Sequence, residues 1–368
     1  MRMADTAGRL AVVFYIRELK GLRDSIMAQG YSDNWLRYLR LGAFICLTCL
    51  ALGLPDAGRA LTRTELYQAT AAVANQSEAA RPAAFAAALR IVLVRVTGRR
   101  TADEDPALAP LINNAARYVQ QYRAAADNQL WVAFDGPAIE RWLTQNGQPL
   151  WGRERPATVV WLAVQSGPQG GTVVTAEDAS ELKLALDAAA ALRGVPLRWP
   201  TAAELQQDHL DYAALAGASP GTLADLGRRL GGEGTLIGRA SNATLAATVH
   251  WTFLFQERSS EFSGALEGVN RAADTYAGIF AVSGALSMID IEVTGVSDLK
   301  DYALVQGYLE SLTFIAHVGV ETLNGDTVRF RLTTRGGPGP LQHAFALNGR
   351  LQPIAAGDNG VQRFQLRR

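Results

Sequence analysis

The chain has 368 residues and balances 35 Lys and Arg against 35 Asp and Glu, so no net field selects for nucleic acid or an anionic membrane surface. Its two cysteines, Cys46 and Cys49, share one apolar run, which leaves the rest of the chain without a disulfide, a thiol nucleophile or a thiolate metal site. An apolar share of 48% is enough for two or three small domains with cores of their own.

Residues 41–54, LGAFICLTCLALGL, carry no charge, follow Arg37 and Arg40, and precede the small residues Ala57, Gly58 and Ala60. A basic region, a short apolar stretch and small residues at the cleavage point describe a Sec-type signal peptide cut after Ala60. As a helix, about 14 residues rise about 21 Å against a hydrocarbon layer of roughly 30 Å. The expectation is a periplasmic protein with no permanent span; the alternative is an inner-membrane anchor at residues 41–54. Met27 is the expected start within this leader. Residues 61–368 hold 27 basic and 30 acidic side chains.

The first module, residues 61–156, begins with a strand over 64–77, TELYQATAAVANQS. Phe85, Leu89, Val92 and Val96 fall on one face of a helix over 78–98. Leu111, Ala115, Tyr118 and Tyr122 repeat that spacing and predict a second helix over 107–123. LWVAFD, residues 130–135, reads as a strand. Pro137 opens a helix that turns Ile139, Trp142 and Leu143 inward, and Gly147 stops it.

PLWGRERP, residues 149–156, breaks the pattern. The second module, residues 157–287, opens with ATVVWLAVQ, an unbroken apolar strand of the kind buried on both faces. A helix over 179–193 ends at Gly194, and a short strand, VPLRWP, follows. Residues 221–230 are predicted helical; Gly231, Gly232 and Gly234 form a turn into the strand TLIGRA. A partner strand over 244–256 and a long helix over 267–287 complete the unit.

In the third module, residues 288–368, Ile289, Ile291 and Val293 alternate with polar residues. Ser297 is expected to cap a helix through Leu312, ahead of a strand over 314–323. Asn324-Gly325 marks a hairpin into a strand over 327–334. A second helix over 340–347 follows the loop RGGPGP. The fold class expected is α/β to α+β: two or three small sandwich modules, the last ferredoxin-like.

Chemistry is harder to find. Gly217-Ala218-Ser219-Pro220-Gly221 fits a nucleophile elbow in letters only, because Pro220 stands where a backbone N–H must serve the oxyanion. His209, His250, His317 and His343 show no metal-ligand pairing, although His209 sits between Asp208 and Asp211. The glycines at 231, 232 and 234 join a helix to a strand, the reverse of a dinucleotide loop. No catalytic residue, metal or cofactor is expected. Among the tryptophans beyond the leader, at 131, 142, 151, 161, 199 and 251, five sit in apolar patterns that suit a core role, and Trp151 is the exception, flanked by Arg153, Glu154 and Arg155. Trp151, Arg153, Glu154 and Arg155 are the candidate binding residues, together with a sheet edge near Val318 and Thr322 able to accept a guest strand.

LVRVTGRR, RYVQQYR, LWVAFD, PLWGRERPATVVWLAV, GTLADLGRRLGGEGTLIGRA and DYALVQGYLESL together make the chain resemble an exported proteobacterial family, domain of unknown function 2066. ALAGASPG departs from the aromatic, Gly-rich segment expected before residue 221. The resemblance implies an envelope location and no assigned activity. The function expected is that of a non-enzymatic periplasmic adaptor for an envelope protein. The alternative, a peptidoglycan or glycan binder or hydrolase, rests on the tryptophans and on the carboxylate pairs Asp103 with Asp105 and Asp208 with Asp211.

Overall fold

The computed structural model describes residues 63–75, 77–167, 170–355 and 361–367. The leader, with its cleavage at Ala60, lies outside them.

A four-residue helix, α1 (Arg63–Leu66), leads into β1 (Gln68–Ala72), which is shorter than the strand predicted over 64–77. The amphipathic helix α2 (Arg81–Thr97) follows one 3-10 turn and ends at Gly98, whose φ of 72° suits glycine at a helix C-terminus. Phe85, Leu89, Val92 and Val96 are all buried. Each is worth about 1.5–3 kcal/mol in burial.

The second predicted helix is corrected. Residues 106–118 form short helical turns around α3 (Ala109–Asn113), and residues 119–125 become β2 (Val119–Ala125), paired antiparallel with β3 (Gln129–Phe134). Leu111 and Ala115 are buried, but Tyr122 lies on an edge strand and is exposed, its ring centroid 5.3 Å from that of Phe85 on α2. Asp127 and Asn128, both with positive φ, form the tight turn that makes the hairpin. The sheet order is β1-β3-β2. Helix α4 (Gly136–Gln145) closes this core with Ile139 and Leu143, its N-terminus capped by Asp135, whose carboxylate accepts from the Ala138 N–H.

In the second sheet, alternation decides which helix lies where. Along β4 (Thr158–Gln165), Val160, Leu162 and Val164 face one hydrophobic cluster while Val159, Trp161 and Ala163 face another. The strand is therefore apolar throughout. β4 pairs with β5 (Gly171–Val173), followed by helix α5 (Glu181–Arg193) and the two-residue β6 (Leu197–Arg198). Helices α6 (Ala202–Gln207), α7 (Tyr212–Gly217) and α8 (Pro220–Arg229) follow. Strands β7 (Gly234–Ala240), β8 (Val249–Phe255) and β9 (Arg258–Ser263) complete the order β5-β4-β7-β8-β9. Residues 244–248, expected in a strand, precede it. Helix α9 (Glu267–Phe280) packs beside α5 but stops at Phe280, seven residues short of the predicted end, because Val282 turns to pair with Leu150.

The third sheet begins with β10 (Leu286–Thr294). Helix α10 (Leu299–Ser311) is capped by Asp298, one residue beyond the predicted Ser297: the Asp298 carboxylate accepts from the Asp301 N–H. β11 (Ile315–Asn324) and β12 (Thr327–Arg335) form the hairpin, with Gly325 at φ 60°. After α11 (Gly339–Asn348), β13 (Leu351–Ile354) runs antiparallel to β14 (Gln362–Leu366), which inserts next to β10. The order β11-β12-β10-β14-β13 keeps the two split β-α-β crossings of a ferredoxin-like sandwich and adds one strand, parallel to β10. Among the described residues no helix is long and apolar enough to cross a membrane.

Candidate functional site

The segment between the first two sheets, residues 149–156, is held on every side. Leu150 bridges to Val282, and the Trp151 N–H donates to Val96 O at 2.7 Å. The Trp151 side chain is fully buried; its ring Nε1 donates to Glu154 O at 3.0 Å. Arg155 stacks on that ring, its guanidinium carbon 3.9 Å from the centroid. From there it donates to four carbonyls at 2.8–2.9 Å, those of Trp151, Gly152, Gly194 and Arg95. Burial pulls the Arg155 guanidinium well below its usual range.

Glu154 and Arg153 reach the segment that leads from α10 into β11. Glu154 Oε1 accepts from the Thr313 N–H at 2.8 Å, the Arg153 N–H donates to Thr313 Oγ1 at 3.2 Å, and the Arg153 guanidinium donates to Ser311 O. Burial raises the Glu154 carboxyl above the usual carboxylate range, against the hydrogen bond from Thr313. A Cβ on Gly152 would lie 2.3 Å from the Thr313 Cβ, so only glycine permits this approach. The four candidate residues are thus brought together, but Trp151 and Arg155 lie in the interior, where they join α2 to the end of α5 and to Tyr276 of α9 instead of facing solvent. Arg153 alone of the four is exposed.

Two further buried arginines continue this seam and were not singled out from sequence. Arg95, on α2, donates to the carbonyls of Glu65, Gln68 and Ala191 at 2.9 Å. Arg193, at the end of α5, donates to Gly98 O and to Asp274, the latter an ion pair at 2.7 Å. Their signal is an arginine set within an apolar stripe, as in LVRV. Guanidinium forks suit a junction rich in helix-end and loop carbonyls, which have no other donor.

The residues tested for chemistry have structural duties. Ser219 caps α8, its Oγ accepting from the Thr222 N–H at 3.1 Å, with Pro220 in the first turn. Asp105 pairs with Arg99 at 2.6 Å, Asp208 pairs with Arg229 at 2.9 Å, and Asp211 caps α7. Trp161, Trp199 and Trp251 are buried, and Trp131 is covered by Arg123 at 4.4 Å. Among the described residues no group of three His, Cys, Asp or Glu side chains is placed to hold a metal.

The sheet edge near Val318 and Thr322 is solvent-facing. β11 spans ten residues and is paired only with β12. Through the register Val320 to Phe330 and Leu323 to Val328, both side chains fall on the helix-covered face, yet at the edge they stand 47% and 68% exposed. Two of the other sheet edges have a different character. β9 reads RSSEFS and β2 reads VQQYRAA, polar sequences of the kind that discourages a guest strand.

A family model, Domain of unknown function (DUF8605), matches residues 60–152, the stretch that contains the first sheet and its helices. That match overturns the resemblance to domain of unknown function 2066, since the model that fits this stretch is a different one. No curated protein matches the chain.

Proposed function

We propose that the protein is an exported, non-enzymatic adaptor that binds an envelope protein by accepting one of its extended segments along β11. The observation that carries this reading is the unpaired ten-residue edge with exposed Val320 and Leu323. Such an edge offers a row of backbone donors and acceptors to a guest strand, and alternate apolar side chains of the guest cover the two exposed ones. Support for export comes from the leader alone, with its basic residues, apolar run and small residues before Ala60.

The test is chemical crosslinking in living cells, with adducts identified by mass spectrometry. One dominant envelope-protein adduct is expected, lost on Val320→Lys with Leu323→Lys while the melting temperature stays within a few degrees. An unchanged adduct in that variant would refute binding at β11. Glycan adducts without a protein would replace the adaptor by a wall binder.

A further inference from the structure

A cleft of about 630 Å³ lies where β11 begins, walled by α4 on one side and by the ends of β11 and β12 on the other. Thr313, Ala316 and Arg335 line the sheet side; Thr144 and Arg141 line the helix side. Arg335, the last residue of β12, is fixed within it. Its Nε donates to Gly284 O and its Nη1 to Thr144 Oγ1, both at 3.1 Å. Nη2 has no protein acceptor among the described residues, and no carboxylate there pairs with this guanidinium. The two acids that also line the cleft are engaged elsewhere: Asp135 caps α4, and Glu140 Oε1 accepts from the Tyr67 hydroxyl at 2.8 Å. Burial lowers the Arg335 guanidinium below its usual range, and no neighbouring carboxylate counters that effect.

A half-buried arginine that is held in place and lacks a counter-ion is a ready site for a carboxylate, which its fork binds through parallel hydrogen bonds. The direction of β11 says where that carboxylate would come from. A guest strand pairing antiparallel, the more stable arrangement and the one β12 already adopts, ends its chain at the start of β11, next to Ala316 and the cleft.

We infer that the cleft receives a carboxylate at the C-terminal end of the guest strand, either its terminal carboxylate or an Asp or Glu side chain within two residues of it. The inference rests on strand addition at β11 and adds the partner's chemistry: alternating apolar residues followed by an acid. Arg335 is the specificity-determining residue, and Arg141 supplies a second positive charge at the cleft wall.

The experiment selects peptides on the whole purified protein from two random libraries, one displayed with a free C-terminus and one with the C-terminus blocked by a neutral extension. Peptides with alternating apolar residues and a C-terminal acid are expected, binding at least tenfold more weakly to Arg335→Gln than to the wild type, a difference that disappears when the acid is neutralised. Enrichment from the free library alone identifies the terminal carboxylate; enrichment of Asp or Glu from both identifies a side chain. Apolar peptides with no acid preference, still lost on Val320→Lys with Leu323→Lys, would overturn the inference and leave strand addition standing. Acidic peptides indifferent to those lysines but lost in Arg335→Gln would keep the anion site and refute strand addition as its source. No enrichment from either library would refute both.

Discussion

The Arg155 guanidinium carbon sits 3.9 Å from the centre of the Trp151 ring, and the same group ties together backbone from the end of α2, the connecting segment and the end of α5. The ring removes one face of the cation from water while four carbonyls accept its N–H groups, which is how a charge is kept inside with no direct ion pair. Arg155→Lys keeps the charge but loses the fork. We expect it to cost about 2–4 kcal/mol in urea unfolding, since several carbonyls lose their donor at once. A loss below about 0.5 kcal/mol, the range of ordinary surface changes, would show that the seam does not depend on this side chain.

Glu154 carries a pH signature. Its carboxyl is raised chiefly by burial, so the folded chain holds this proton more tightly than the unfolded chain does. Arg153 and Arg155 on its own segment and the Tyr308 hydroxyl on α10 are the ionisable groups facing it. Its contribution to stability is present in full below the unfolded value and is lost as pH rises through the folded value. Glu154→Gln should therefore melt higher than the wild type at pH 7, with the gap closing near about pH 4. Thermal melts across that range check the sign, and a lower melting point for the variant at pH 7 would reverse it.

Tyr276 and Thr158 form a buried hydroxyl pair 2.7 Å apart under the second sheet. Tyr276→Phe should cost about 1–2 kcal/mol because the Thr158 hydroxyl is left without its partner. Thr158→Val added to that variant should cost little more, so a double-mutant cycle reads a coupling of about 1 kcal/mol. Additive losses would mean that each hydroxyl has another acceptor.

Gly152 meets Thr313 with no room for a methyl group. Gly152→Ala is expected to destabilise by about 1–3 kcal/mol through overpacking, and Thr313→Gly in the same chain should recover part of that loss. Denaturant midpoints of the two variants separate this clash from a general intolerance of alanine, which Thr313→Gly would not relieve.

Much of the architecture is legible in periodicity. The doubly buried strand at 158–165, the face of α2 and the hairpin at Gly325 all follow from alternation or from helical spacing. Residues 107–123 misled because Leu111, Ala115, Tyr118 and Tyr122 keep a helical spacing across two short turns and a strand. Only the pair Asp127 and Asn128 betrays the hairpin. The candidate site was legible in part. Charges beside Trp151 mark an unusual segment, but charge in a sequence does not distinguish a solvated arginine from one whose fork is filled by carbonyls from distant elements, as in Arg155 and Arg95. Arg335 was missed for the complementary reason: its missing carboxylate becomes visible only when α4 and β12 are placed side by side.

Amide hydrogen exchange over residues 315–324 tests strand addition most directly, measured on the purified protein and on the protein recovered with its crosslinked partner. The account predicts that amides of β11 gain protection in the complex while those of β9 and β13 do not change. Protection that appears at another edge, or none along β11, would contradict it.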